Sequence, residues 1–204
     1  MIYEFRTYQL KPRSMGEVIK RFGDALPRRA EFSPLAAFWH TEIGPLNQII
    51  HVWPYESLAQ RDEIRAAAAA SGVWPPKLGE FIVDMQSEIL TPVTSQPALV
   101  PGTYGPYYEM RTYTLAPGSV GAMTERWEEY LPGRIALSPL AGVFWSDIGA
   151  LNKWIHIWPY PSLEARVETR KQAAAAGSWP PPGDSPVLDQ SSKIIVPAPF
   201  SPMQ

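Results

Sequence analysis

Cysteine is absent from this chain of 204 residues, and histidine occurs only three times, as His40, His51 and His156. Without thiols there is no disulfide, no thiol nucleophile, no iron–sulfur cluster and no thiolate zinc site. Three histidines are too few for a three-histidine metal site in each half of the chain, and no metal or other cofactor is expected. No apolar run is long enough to cross a bilayer, and a net charge of -2 offers no basic surface for nucleic acid or an anionic membrane. The chain enters a strand pattern at Ile2 with no signal or transit segment ahead of it, so a cytoplasmic location is expected. Phosphate loops, nucleophile elbows and His-Glu-x-x-His motifs are lacking as well.

What is present is present twice. Tyr3-Glu-Phe-Arg-Thr-Tyr-Gln-Leu10 returns as Tyr108-Glu-Met-Arg-Thr-Tyr-Thr-Leu115, and His51-Val-Trp-Pro-Tyr55 as His156-Ile-Trp-Pro-Tyr160. From Tyr3 through Pro92 the two copies align without a gap at a constant offset of about 105 residues, and roughly 42 of about 90 positions are identical. The chain is read as two homologous units, 1–95 and 108–204. A linker over 96–107 carries Pro97, Pro101, Gly102, Gly105 and Pro106.

Each unit reads strand, helix, strand, strand, helix, strand. Ile2 to Leu10 alternates Tyr3, Phe5 and Thr7 with Glu4, Arg6 and Tyr8, as a strand requires. Ser14 and Glu17 have capping-box spacing, and Met15, Val18, Ile19, Phe22 and Leu26 form a helical stripe. The second copy keeps a stripe but has Ala122 in place of Glu17. Leu35–Ile43 and Asn47–Tyr55 flank a Gly44-Pro45 turn and read as a hairpin. Ser57 and Ser162 are helix caps, with Gly72 and Gly177 as stops. Trp74-Pro-Pro76 and Trp179-Pro-Pro181 read as rigid helix exits, each followed by a last strand.

The order βαββαβ is that of the ferredoxin-like unit, which covers one sheet face with helices and leaves the other needing a partner. The fold class expected is therefore α+β: two tandem ferredoxin-like βαββαβ units forming an intramolecular, pseudo-twofold dimeric α/β barrel. Tyr-Glu-x-Arg-Thr-Tyr-x-Leu-x-Pro at 3–12 and 108–117, Glu42-Ile-Gly-Pro-Leu-Asn47 and His51-Val-Trp-Pro-Tyr-Glu-Ser-Leu58 resemble the NIPSNAP family, in a tandem two-domain form of bacterial type. The resemblance implies the dimeric α/β-barrel fold and no settled activity. Barrels of this kind also include cofactor-independent monooxygenases, haem enzymes and small-ligand-binding proteins, so the fold leaves function open.

First and third strands are neighbours in such a sheet. Glu4, Arg6 and Tyr8 are thereby set beside Asn47, His51 and Trp53. The second set is Glu109, Arg111, Tyr113, Asn152, His156 and Trp158. Buried polar groups need partners. One reading is a structural network fixing register and closure. A second is a pocket floor in which His51 or His156 is a general acid or base and Arg6 or Arg111 holds an anionic or enolate oxygen. In a third the polar groups never meet. Arg61, Arg65, Arg166 and Arg170, four apart on helices, read as a solvated face. Ile49 is matched by Trp154 and His40 by Trp145, so the second half is expected to have the smaller cavity.

The function expected is binding of a small apolar or aromatic molecule. Cofactor-independent activity on an aromatic or enolisable substrate is compatible with it, and a homo-oligomer of the tandem chain is allowed. The alternative is a non-catalytic protein-interaction scaffold, which would have a solid interior and an exposed apolar patch.

Overall fold

A computed structural model of the chain describes residues 1–93, 98–177 and 179–204. It has a mixed α/β fold with four helices and one eight-stranded sheet among the described residues. The first half contains β1 (Ile2–Leu10), α1 (Met15–Ala30), β2 (Ala37–Ile43), β3 (Gln48–Tyr55), α2 (Leu58–Ala70) and β4 (Ile82–Pro92). The second contains β5 (Tyr107–Leu115), α3 (Val120–Ile135), β6 (Gly142–Ile148), β7 (Lys153–Tyr160), α4 (Leu163–Ala175) and β8 (Val187–Pro197). Of the expected linker, 96 and 97, and so Pro97, lie outside the described residues. Beyond them Leu99 N–H donates to the Ala141 carbonyl (2.7 Å), and Gly102 bridges to Met203.

Local chemistry sets the element ends. Ser57 and Ser162 accept hydrogen bonds from Gln60 N–H and Ala165 N–H (3.2 and 3.1 Å), as N-caps do, and Gly72 and Gly177 leave the helices at positive φ. The capping box expected at Ser14 does not form. Ser14 has helical dihedrals and donates to the Lys11 carbonyl (2.7 Å), while Glu17 pairs with Arg21 one turn on (2.7 Å). Asn47 and Asn152 are turn residues at φ 59 and 60, a conformation Asn tolerates. Their carbonyls accept from Leu10 and Leu115 N–H (both 2.8 Å), so each ties its hairpin turn to the end of β1 or β5.

The strands run in the order β1-β3-β2-β8-β5-β7-β6-β4, and β4 returns to β1. Every strand therefore has two hydrogen-bonded neighbours and no edge is left open. Two seams join the halves, β4 with β6 and β8 with β2. At one seam Lys153 pairs with Glu88, and at the other Lys193 donates to Gln48 (3.2 Å).

All eight strands contribute to a common interior core, including Tyr3, Phe5, Trp39, Tyr108, Phe144 and Ile195. The opposite face of each half packs against its own helices, through Phe22, Ile49 and Trp53 in the first and Trp127, Trp154 and Trp158 in the second. Residues 1–95 alone would expose both the interior face and the edges of β2 and β4. That fragment is expected to appear in sedimentation as a homodimer or an aggregate; a well-folded monomer would contradict the requirement for both halves.

Candidate functional site

Alternation on β1 and β5 sends Tyr3 and Phe5, with their counterparts Tyr108 and Met110, inward. Glu4, Arg6 and Tyr8, and likewise Glu109, Arg111 and Tyr113, face the helices. The register sets Arg6 opposite His51 and Glu4 opposite Trp53, and repeats this as Arg111 with His156 and Glu109 with Trp158. Most of the expected polar set is thus brought together, but between sheet and helices. Asn47 and Asn152 stand apart at the hairpin turns.

Glu4 is fully buried and accepts from Arg6 (2.9 Å), Arg61 (2.6 Å) and Ser87 (2.8 Å), with Arg65 at 3.3 Å. Glu109 repeats this with Arg111 (3.1 Å), Arg166 (2.6 Å), Ser192 (2.9 Å) and Arg170 (3.7 Å). Burial alone would raise both carboxyls, but the arginines, joined at Glu4 by Ser87, outweigh it and hold each at about 2. Arg61, Arg65, Arg166 and Arg170 are therefore not a solvated face. Their spacing of four put them on one side of a helix, and that side turns toward the buried carboxylate of β1 or β5. A buried acid opposite two helical arginines, repeated in both copies, was the available signal.

The histidines stand outside these ion pairs. Trp53 Nε1–H donates to His51 Nδ1 (2.7 Å), and Trp158 Nε1–H to His156 Nδ1 (2.6 Å). An accepting Nδ1 assigns the hydrogen to Nε2, and Nε2 of both rings is buried without a partner. Burial, reinforced by Arg6, pushes His51 down to about 3; burial and Arg111 push His156 well below the usual imidazole range. At neutral pH each is an uncharged ring presenting an N–H, which makes it a hydrogen-bond donor and not a base.

One further residue belongs to each site. Arg134, buried at the end of α3, donates to Ser138 Oγ (2.7 Å) and Tyr160 OH (2.9 Å), and its guanidinium lies 4.0 Å from the centre of the Trp158 ring. Arg29 does the same with Ser33, Tyr55 and Trp53. Neither has a carboxylate partner among the described residues. Burial lowers the pKa of both, the cost of holding a cation away from water.

In the second half these groups open onto a cavity of about 480 Å³. Its wall combines Arg111, Tyr113, Arg134, His156, Trp158 and Tyr160 with an aromatic side formed by Trp127 and Trp179. Nε1 of Trp127 is another buried donor without a partner. The cavity lies in the half expected to be tighter. Trp154 is fully buried and packs against Trp127 (ring centroids 5.4 Å apart) without lining the cavity. Gly183, at φ +88, stands where the first half has Leu78, and Pro186 stands where it has Phe81. Leu78 is buried against the first-half cluster, with Phe81 packed beside it. Gly183 and Pro186 both follow the Trp179-Pro-Pro181 segment read as a rigid helix exit. Among the described residues no group of His, Asp and Glu is arranged to hold a metal ion, and no helix is long and apolar enough to cross a membrane.

Fold and site together define a duplicated α/β protein with a buried, donor-lined pocket. The NIPSNAP family pattern matches residues 3–97 and 108–202, and the chain belongs to that family. The human protein NipSnap homolog 3A is 27% identical over 220 residues, spanning 100% of this chain and 86% of its own. A solved NIPSNAP family protein of unknown function from Agrobacterium tumefaciens is 32% identical over 48% of this chain and 92% of its own, at a TM-score of 0.44. A Fusobacterium nucleatum protein matches 97% of this chain and 92% of its own at a TM-score of 0.63 with 8% identity, a likeness of fold alone.

Proposed function

We propose that this chain is a small-molecule-binding protein. Its two tandem ferredoxin-like units, 1–95 and 108–204, form a dimeric α/β barrel, and the ligand lies between sheet and helices in the second half. The observation that carries the reading is the roughly 480 Å³ cavity bounded by the unpartnered Nε2–H of His156. Such a volume suits one small ligand, and an unsatisfied buried donor is costly until something accepts from it. Trp127 and Trp179 favour a flat aromatic body, with acceptor oxygens turned toward His156, Arg111 and Arg134. The same donors would stabilise an enolate oxygen, whereas proton abstraction would need a base other than the neutral imidazole. A protein-interaction scaffold has no use for such a cavity.

The test is titration of the purified chain with naphthalene derivatives carrying different single polar groups, followed by calorimetry and tryptophan fluorescence. One equivalent should bind per chain. Gly183→Leu introduces the first-half residue at the mouth and should abolish binding, while strain at positive φ costs about 1–2 kcal/mol of stability. Failure of every probe to bind, or binding indifferent to Gly183→Leu, would count against the reading.

A further inference from the structure

Arg126 at the cavity mouth differs from its first-half counterpart Arg21 in what surrounds it. Arg21 pairs with Glu17 (2.7 Å) and Glu80 (2.8 Å), donates to the Lys77 carbonyl (2.7 Å), and lies over the Phe81 ring. At the equivalent positions the second half has Ala122 and Ser185, so both carboxylates are gone. Arg126 keeps a hydrogen bond to a backbone carbonyl, that of Asp184, and makes no ion pair among the described residues. The cavity behind it is lined by Arg111, Arg126, Arg134 and Arg170, with no Asp or Glu. Glu109 already serves Arg111, Arg166 and Arg170 from behind the wall, which leaves Arg126 and the buried Arg134 without a counter-charge. Asp184 lines a second hollow that shares Met123, Arg126 and Ser185 with the cavity, and it does not line the cavity itself.

We infer that the ligand of the second-half cavity is an acid. An aromatic carboxylate, or an aromatic compound with an equally acidic oxygen, would have its charge balanced by Arg126 and Arg134 and its oxygen in reach of the His156 donor. Arg126 is then a specificity-determining residue, freed for the ligand by the loss of two carboxylates that the other half retains. The inference rests on the small-molecule reading and narrows its ligand class. Two features support it independently. Arg134 is a buried cation with only hydroxyl and aromatic partners, and His156 Nε2 is a buried donor with none. Charge-assisted hydrogen bonds are the strong ones, and in a site partly closed to water they favour an anion over its neutral isostere.

The experiment compares 2-naphthoate with 2-naphthamide by calorimetry on the full chain. The acid should bind about tenfold or more tightly than the amide, the factor expected when a charge-assisted hydrogen bond replaces a neutral one. A second arm restores the first-half residues with Ala122→Glu and Ser185→Glu. Both positions are exposed, so the fold should tolerate the change. In that double variant the acid should lose about fivefold or more in affinity while the amide is unchanged, since only the anion is repelled by the new carboxylates and deprived of the Arg126 charge. Equal affinity for acid and amide, or an acid affinity indifferent to the double substitution, overturns the acid assignment and leaves the small-molecule reading standing. If neither compound binds, both fail.

Discussion

Replacing Glu109 with Gln should lower the unfolding free energy by about 3 kcal/mol and the melting temperature by about 6–12 °C, and Glu4→Gln should act likewise. The substitution keeps shape and removes the charge on which Arg111, Arg166 and Arg170 converge. Three guanidinium groups would then repel one another beside a buried amide that satisfies none of them fully. The figure is the lower end for breaking a buried ion pair, because these arginine side chains keep 14–43% of their exposure and water screens them. Arg6→Met should cost less, about 1 kcal/mol, since Glu4 still has Arg61, Arg65 and Ser87. Denaturant unfolding of the three variants measures both effects. A loss below 1 kcal/mol in both glutamine variants would mean that the clusters behave as solvated surface.

Stability should also fall steeply with acidification, starting well above the carboxylate range. His51 is held near 3 in the fold against an ordinary 6.5, and His156 is shifted the same way. Below 6.5 the unfolded chain binds protons that the native rings refuse, so their contribution is complete above 6.5 and declines as pH falls toward 3. By pH 4.5 the loss from His51 alone is on the order of 3 kcal/mol. Glu4 and Glu109, depressed to about 2, contribute fully above 4.5 and lose their contribution between 4.5 and 2. The two windows overlap between 4.5 and 3, and above 4.5 the histidines act alone. His51→Gln should flatten the slope between 6.5 and 4.5 by up to about 1.4 kcal/mol per pH unit and leave the carboxylate contribution unchanged. Unfolding free energies at pH 7.5, 5.5 and 4.5 that do not change would refute the buried neutral assignment.

The sequence made the strands, the helix caps at Ser57 and Ser162 and the adjacency of β1 to β3 legible, because alternation, capping serines and a repeated motif are local or nearly so. Orientation was not legible. Alternation on Ile2–Leu10 shows that the two faces differ, but both are buried, and nothing in the residues says that Glu4 looks at helices and Phe5 at the other half. Asn47 was misassigned for a related reason, since one residue at a strand end decides between sheet face and turn. The cavity was not legible either. Trp154 and Trp127 are larger than Ile49 and Phe22, yet the second half still has a cavity, with Gly183 in its wall where the first half has Leu78. Size differences are readable from sequence, but which of them border empty space depends on tertiary packing.

The two seams carry a charge code for assembly. Glu88 and Lys193 occupy equivalent positions of the repeat, as do Gln48 and Lys153, so each half brings its own pair of side chains to the junction. In the native arrangement Glu88 meets Lys153 and Lys193 meets Gln48. Two copies of the second half would instead bring Lys153 and Lys193 together at both seams. Lys193 is already lowered to about 8 by burial and by the nearness of Lys153. Two first halves would meet as Glu88 with Gln48, with no cation at either seam. Each half is thus fitted to its partner better than to itself. Once the duplicated halves had diverged this far, the second could not return to life as a symmetric dimer without first losing a lysine at each seam, whereas the first meets no such repulsion.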